Sequence, residues 1–378
     1  MDYEISEKKL KGYRLFAAFY NFRARLPFKK KGVFFVMTHD GGMTGNCGSM
    51  MQKVRAKGYR TYFLNRAHTD FGKNIFGAFR FFVIKSFQMG SCRTVFLDNA
   101  FLPLGFCNVP EDVQIAMLWH GTGTIKRFGL DTTEGGLKEL EQGCYSKITH
   151  LFVASEYTKQ IYKGCFGLPY EKIFVTGSPR CDELFEAHDY NDDIRDKDKF
   201  TVLFATTFRE NIPGDAPYYE IRTLLRKLQS KNRKIQVLLR LHPHVAHELK
   251  GRSEYFMFGN CVDVSGQDNL NMIMRKADIL VTDYSSICYD FAILERPVLF
   301  YAPDLDYYRD AERGFYEDYD SFVPGPVFRR IDALADEILK LASDPAKHDS
   351  VRSDVFMEKA FAHRDSNAAF RIMEVLKL

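Results

Sequence analysis

From residue 32 onward the chain alternates short apolar runs with longer stretches in which apolar residues recur at helical spacing. Residues 32–37, rich in Val and Phe, form the first run and leave through the polar, Gly-rich exit Thr38-His39-Asp40-Gly41-Gly42. Further runs lie at 60–64, 94–97, 114–118, 150–154 and 172–176, each separated from the next by enough chain for a crossover. This pattern predicts a parallel sheet with helices on both faces. A charge-mixed stretch at 189–199 with a single aliphatic residue reads as a linker. After it the rhythm restarts with strand-like runs at 201–205, 235–241, 261–264, 278–282 and 297–301 and a helical pattern at 219–229. The expected fold is therefore α/β, with two doubly wound Rossmann-like domains at 32–190 and 200–345. Residues 1–31 stand apart as an amino-terminal segment, and the helical segment 350–378 is expected to cross back to the first domain.

The composition, 46% hydrophobic and 27% charged over 378 residues, suits two globular domains and excludes a disordered chain or a small disulfide scaffold. A net charge of +4 gives no argument for nucleic acid as a partner. The distribution is more informative, because residues 1–31 hold nine basic and three acidic residues, which leaves the remainder slightly negative. Aromatic and aliphatic residues interleave with these cations, from Tyr13, Leu15, Phe16, Phe19 and Tyr20 to Phe22, Leu26 and Phe28. The segment is expected to touch an anionic membrane surface peripherally, the alternative being a helix packed on its own domain or on a neighbouring subunit of a homo-oligomer. No apolar run is long enough to span a bilayer. The eight cysteines never form a CxxC pair, and no secretory leader is apparent, so buried free thiols in a reducing cytosol are expected.

Chemistry concentrates at strand exits. Trp119-His120-Gly121-Thr122-Gly123-Thr124 follows an apolar strand and contains the only Trp; Lys126 and Arg127 come directly after it. A His at the carboxyl end of a strand sits where open α/β sheets bind ligands, the glycines allow close backbone approach, and the hydroxyls and cations suit phosphate oxygens. In Arg240-Leu241-His242-Pro243 the proline forces an extended residue 242, so the strand is expected to end by presenting His242. Thr282-Asp283-Tyr284-Ser285-Ser286 reads as a strand-to-helix turn whose hydroxyls and free amides can bind an anion. Thr206, Thr207 and Arg209 open the second domain and can line a cleft; Arg180 can meet a phosphate or brace a turn. Arg313, in Arg313-Gly314-Phe315-Tyr316, belongs to a loop that is either a binding lid or an aromatic surface loop. No acidic motif is dedicated to a divalent ion, so neither metal nor cofactor is expected.

Five motifs in order, Trp119 to Thr122, Gly177-Ser178-Pro179-Arg180, Arg240 to Pro243, Thr282 to Ser286, and Arg313 to Tyr316 with Pro324-Gly325-Pro326, resemble the CDP-glycerol glycerophosphotransferase family of teichoic acid and capsule biosynthesis. The resemblance runs from about Asp98 through Asp365. It implies a glycosyltransferase B fold, with an acceptor-side domain facing a nucleotide-donor domain across a cleft. It further implies that His120 is the acceptor-side catalytic His, and that His242, Ser285 and Ser286 hold the donor's diphosphate. Family members commonly carry Pro where Gly123 stands, and Ala-Pro-Thr-Trp-Arg where this chain has Ala205-Thr206-Thr207-Phe208-Arg209. The expected reaction is attack by an acceptor hydroxyl on the β-phosphorus of a CDP-alditol, releasing CMP, with His120 as general base. His242, Arg240, Arg209, Thr207, Thr282, Asp283 and the two serines are expected on the donor side, and Gly121, Thr122, Lys126, Arg180 and Arg313 on the acceptor or cleft side. The expected partners are the CDP-alditol, a lipid-linked glycan acceptor and the cytoplasmic face of the cell membrane. Lack of a large amino-terminal extension points to priming or single addition. A nucleotide-sugar glycosyltransferase and a non-catalytic membrane-peripheral assembly protein are the rival readings.

Overall fold

Each apolar run noted above forms a strand in the computed structural model, which describes residues 6–27, 31–39, 43–70, 72, 74–189, 193–207, 216–241, 259–344 and 351–378. The chain divides into two units. The first contains Met1–Thr122, Arg127–Asp182 and Ala360–Leu378; the second contains Gly123–Lys126 and Glu183–Lys359.

In the first unit β1 (Val33–Met37), β2 (Thr61–Asn65), β3 (Thr94–Leu97), β4 (Gln114–Met117), β5 (His150–Val153) and β6 (Ile173–Val175) form one parallel sheet in the order β2-β1-β3-β4-β5-β6. Every residue of β1 is buried, as expected of a strand covered on both faces. Val33, Phe35 and Met37 pack on one face with Met50, Met51 and Val54 of the Gly45–Ala56 helix. The carboxyl-terminal helix Ala368–Leu376 adds Ala369, Ile372, Met373 and Leu376 to the same core. Asp182 anchors that helix by accepting the N–H groups of Ala368 and Ala369 at 2.9 and 3.1 Å. Burial outweighs these two bonds and raises the Asp182 carboxyl to about 6.

The second unit repeats the design with β7 (Phe200–Ala205), β8 (Ile235–Leu239), β9 (Cys261–Asp263), β10 (Ile279–Thr282), β11 (Val298–Tyr301) and β12 (Val327–Phe328). Their order is β12-β11-β10-β7-β8-β9, again all parallel. The two-residue β12 escaped the sequence pattern because its run is too short to register. Strand β8 stops at Leu239, three residues before His242. Helix Ile331–Ser343 closes one face through Leu334, Ala335, Ile338 and Leu341.

The amino-terminal helix Glu7–Ala24 packs part of its aromatic surface on its own unit, as the alternative to membrane contact expects. Phe16 and Tyr20 are buried within the first unit, with Phe16 against Phe81 and edge-on to Phe101. Aromatics interleaved with cations look alike whether they meet lipid or protein, and here a complementary apolar wall is present in the same unit. Leu15 and Phe22 stay exposed, and among the described residues the most exposed large apolar side chains are Ile75 and Phe76 at 81% and 86%. Among the described residues no helix is long and apolar enough to cross a membrane. All eight cysteines are free and buried.

Candidate active site

Ligands of open parallel sheets gather at the carboxyl ends of the strands where the strand order reverses. In the first unit that point lies between β1 and β3. Asp98, the first residue after β3, is fully buried and closes it, accepting Thr38 N–H and His39 N–H at 3.0 Å each and the Thr38 hydroxyl at 3.4 Å. The backbone carbonyl of Asp98 lies 3.3 Å from His120 Nδ1. A carbonyl only accepts, so in this contact Nδ1 is the donor, and in the neutral ring Nε2 is then the basic nitrogen. The imidazole of His39 stacks on that of His120, with ring centroids 3.8 Å apart and an interplanar angle of 8°.

The loop that carries His120 is held along its backbone. Trp119 has a positive φ of 58°, a left-handed conformation that costs a bulky residue energy. Its ring stacks on Phe128 and meets Phe166 edge-on, both with centroids 5.1 Å away. Asn46 Nδ2 donates to the carbonyls of Leu118 and Trp119, Arg180 Nη1 donates to that of His120 at 2.8 Å, and the Tyr162 hydroxyl donates to that of Gly121. Thr122, buried, turns its hydroxyl to Ser178 Oγ and Cys181 Sγ. Of the two roles open to Arg180, bracing is the one its Nη1 performs.

In the second unit the reversal lies between β7 and β10. Asp283, directly after β10, accepts Thr207 N–H at 2.9 Å and the Thr207 hydroxyl at 3.1 Å. The Thr282 hydroxyl donates to Ala205 O across the same strand pair. Thr282, Asp283 and Tyr284 are buried, whereas Ser285 and Ser286 are partly exposed, with Ser285 Oγ accepting Ile287 N–H. Below the turn, Tyr284 stacks on Tyr308 at 3.9 Å and the Tyr319 hydroxyl donates to the Asp283 carbonyl at 3.1 Å. Phe315 of the Arg313 loop is buried in this aromatic cluster, while Arg313 itself is exposed. Arg240 Nη1 donates to Val264 O and Gln267 O. His242 and Arg209 lie outside the described residues.

Lys126 belongs to the second unit, where it pairs antiparallel with Phe315. Gly123 lies against the face of Tyr289, so closely that a Cβ would stand 2.3 Å from Cε1, and the Tyr289 hydroxyl donates to Thr124 O. A proline ring has no room at 123 with Tyr289 in this position. Among the described residues no three His, Cys, Asp or Glu side chains converge as a metal-binding group.

Sequence reasoning passed over Asn46, His39, Asp98 and Tyr319. An acid directly after the apolar run 94–97 was a usable signal for Asp98, and His39 stood in a recognised strand exit. Nothing local marked Asn46.

Residues 18–378 match the family described as CDP-Glycerol:Poly(glycerophosphate) glycerophosphotransferase. The chain belongs to that family. Among its relatives, the teichoic acid ribitol-phosphate polymerase TarK of Staphylococcus aureus (strain NCTC 8325 / PS 47) is 32% identical over 77% of this chain and 57% of its own length. The TarL polymerase of the same strain is 30% identical over 92% of this chain and 63% of its own. The chain thus spans about three fifths of the length of these two relatives. The teichoic acid glycerol-phosphate primase of Bacillus subtilis (strain 168) is 27% identical over 77% of this chain and 75% of its own length. The solved wall teichoic acid polymerase TagF shares the fold, with a TM-score of 0.76 at 21% identity over 98% of this chain and 94% of that one. The two units are therefore Rossmann-like units of the glycosyltransferase B type.

Proposed function

We propose that this chain transfers an alditol phosphate, glycerol phosphate or a close relative, from a CDP-alditol to a hydroxyl of a lipid-linked or polymeric cell-wall glycan, releasing CMP. The observation that carries the reading is His120 at a strand exit, with Nδ1 held by the Asp98 carbonyl so that Nε2 is the basic nitrogen of the neutral ring, in a chain of the glycerophosphotransferase family. The acceptor oxygen attacks the β-phosphorus, its proton passes to Nε2, and the bond from that phosphorus to the bridging oxygen breaks with its electron pair leaving on CMP. A phosphodiester results.

On the donor side, Ser285 and Ser286 are assigned to the diphosphate, because theirs are the partly exposed hydroxyls of the turn at the second unit's reversal point. Thr207, bonded to the Asp283 carboxylate of the same turn, and His242, Arg209 and Arg240 are assigned to the same phosphates. Thr282 and Asp283 use their polar atoms within the unit and are read as holding the turn. Gly121, Thr122 and Arg180 are read as fixing the His120 loop; Lys126 and Arg313 remain candidates to meet the acceptor or a phosphate.

Attachment is proposed to be peripheral and on the cytoplasmic face, through the exposed Ile75, Phe76 and Phe79 together with the basic amino-terminal segment. One experiment tests both parts. Protein is mixed with anionic vesicles carrying a lipid-linked glycan acceptor and with CDP-glycerol or CDP-ribitol. The expected result is CMP and a new phosphodiester by mass spectrometry, with the protein sedimenting with the vesicles and released by high salt. A nucleoside diphosphate with a new glycoside, or no product from either donor, defeats the reaction; protein left in the supernatant defeats the attachment.

A further inference from the structure

Asn46 lies in the first turn of the Gly45–Ala56 helix, far in sequence from His120, and is fully buried. Its amide is used on both sides. Nδ2 donates to Leu118 O at 3.3 Å and Trp119 O at 3.1 Å, while Oδ1 accepts the Ser178 hydroxyl at 2.8 Å and Arg180 N–H at 3.1 Å. The two donors at Oδ1 and two carbonyls at Nδ2 define which way the amide points. With no surface exposed, Asn46 has no access to a substrate.

What it touches is the backbone on either side of a strained residue. A tryptophan at φ 58° persists only where its surroundings over-determine it. Such a residue redirects the chain, and here the redirected residue is His120, whose Nδ1 then meets Asp98 O. Four successive carbonyls, Leu118 to Gly121, each accept a side-chain donor of the same unit, and Asn46 supplies two of these bonds. Its residue type follows from the task. A single short planar group must donate twice and accept twice, which Asp, Ser and Thr cannot do.

We infer that Asn46 is a positioning residue for the reaction: it holds Trp119 in the left-handed conformation and thereby aims His120. The inference rests on the role proposed for His120, so its test includes a readout independent of activity. Trp119 is the only tryptophan, which makes intrinsic fluorescence a direct report on this turn. Asn46→Ala and the isosteric Asn46→Asp are compared with wild type by emission spectrum, acrylamide quenching, thermal melt, CDP-glycerol affinity and kcat. Asn46→Asp can still accept from Ser178 and Arg180 but cannot donate to the two carbonyls, and it serves if the Ala variant does not fold.

The expected result is a red-shifted, more quenchable emission in both variants, a donor affinity within about twofold of wild type, and a kcat lower by about 10²-fold, the penalty typical of a slightly misplaced catalytic group. Wild-type emission in either folded variant overturns the inference. So does a near-wild-type kcat in Asn46→Asp, which would reduce Asn46 to an acceptor for the Ser178 and Arg180 turn. Should the wild-type protein transfer nothing from CDP-glycerol or CDP-ribitol, the proposed function falls, and the fluorescence arm still decides whether Asn46 holds Trp119.

Discussion

The reversal points of the two sheets are built alike and differ in what they carry. In the first unit Asp98, directly after β3, takes the N–H and hydroxyl of Thr38 after β1; in the second, Asp283, directly after β10, takes the N–H and hydroxyl of Thr207 after β7. Each buried carboxylate thus satisfies backbone donors that the parting strands leave without a ladder partner. The two Asp backbone carbonyls then diverge. Asp98 O faces a half-buried imidazole, His120, whereas Asp283 O accepts a buried phenol, Tyr319. One device therefore serves two purposes: its backbone carbonyl meets a half-buried imidazole at a strand exit in one unit and a buried phenol that braces the strand-to-helix turn in the other.

The strongest way to break this comparison is to remove the imidazole. We expect His120→Ala to lower transfer by about 10²–10⁴-fold while leaving CDP-alditol affinity nearly unchanged, read by product formation and calorimetric titration. Turnover above about a tenth of wild type would mean that the first unit's carbonyl orients no essential base. The second unit is sharpened by Ser285→Ala and Ser286→Ala. Each should weaken donor binding by about 1.5–3 kcal/mol, the worth of a hydrogen bond to a charged group, with an unchanged thermal melt. Wild-type affinity in both would move the diphosphate away from this turn.

The smallest effect is expected from Tyr319→Phe, which deletes only the hydroxyl on Asp283 O and keeps the ring within the aromatic cluster. A loss of about 1 kcal/mol is expected, divided between a lower melting temperature and a weaker donor affinity, with kcat at saturating donor unchanged. If instead kcat fell as far as in His120→Ala, Tyr319 would be more than a brace and the contrast between the two carbonyls would disappear.

The sequence by itself determined the strands and where their chemistry would emerge. A parallel strand covered on both faces must be a nearly continuous apolar run, and its exit must be polar, so runs such as 94–97 and exits such as Asp98 or Asp283 are local features of the chain. The strand-end position of the His120 loop and of the turn at Ser285 and Ser286 was legible for the same reason. Tertiary structure alone decided which polar atoms turn inward. Thr38 and Asp98 are 60 residues apart, Thr207 and Asp283 76, and Asn46 and Arg180 134, and each pair meets only because strand order brings distant exits together. Strand order arises from non-local pairing and leaves no periodic trace in the sequence, so neither the Thr282 hydroxyl bond to Ala205 O nor the Arg180 bond to His120 O could be read from local pattern. The amino-terminal helix follows the same logic: whether Phe16 and Tyr20 meet lipid or protein depends on the wall that Phe81 and Phe101 supply from elsewhere in the chain.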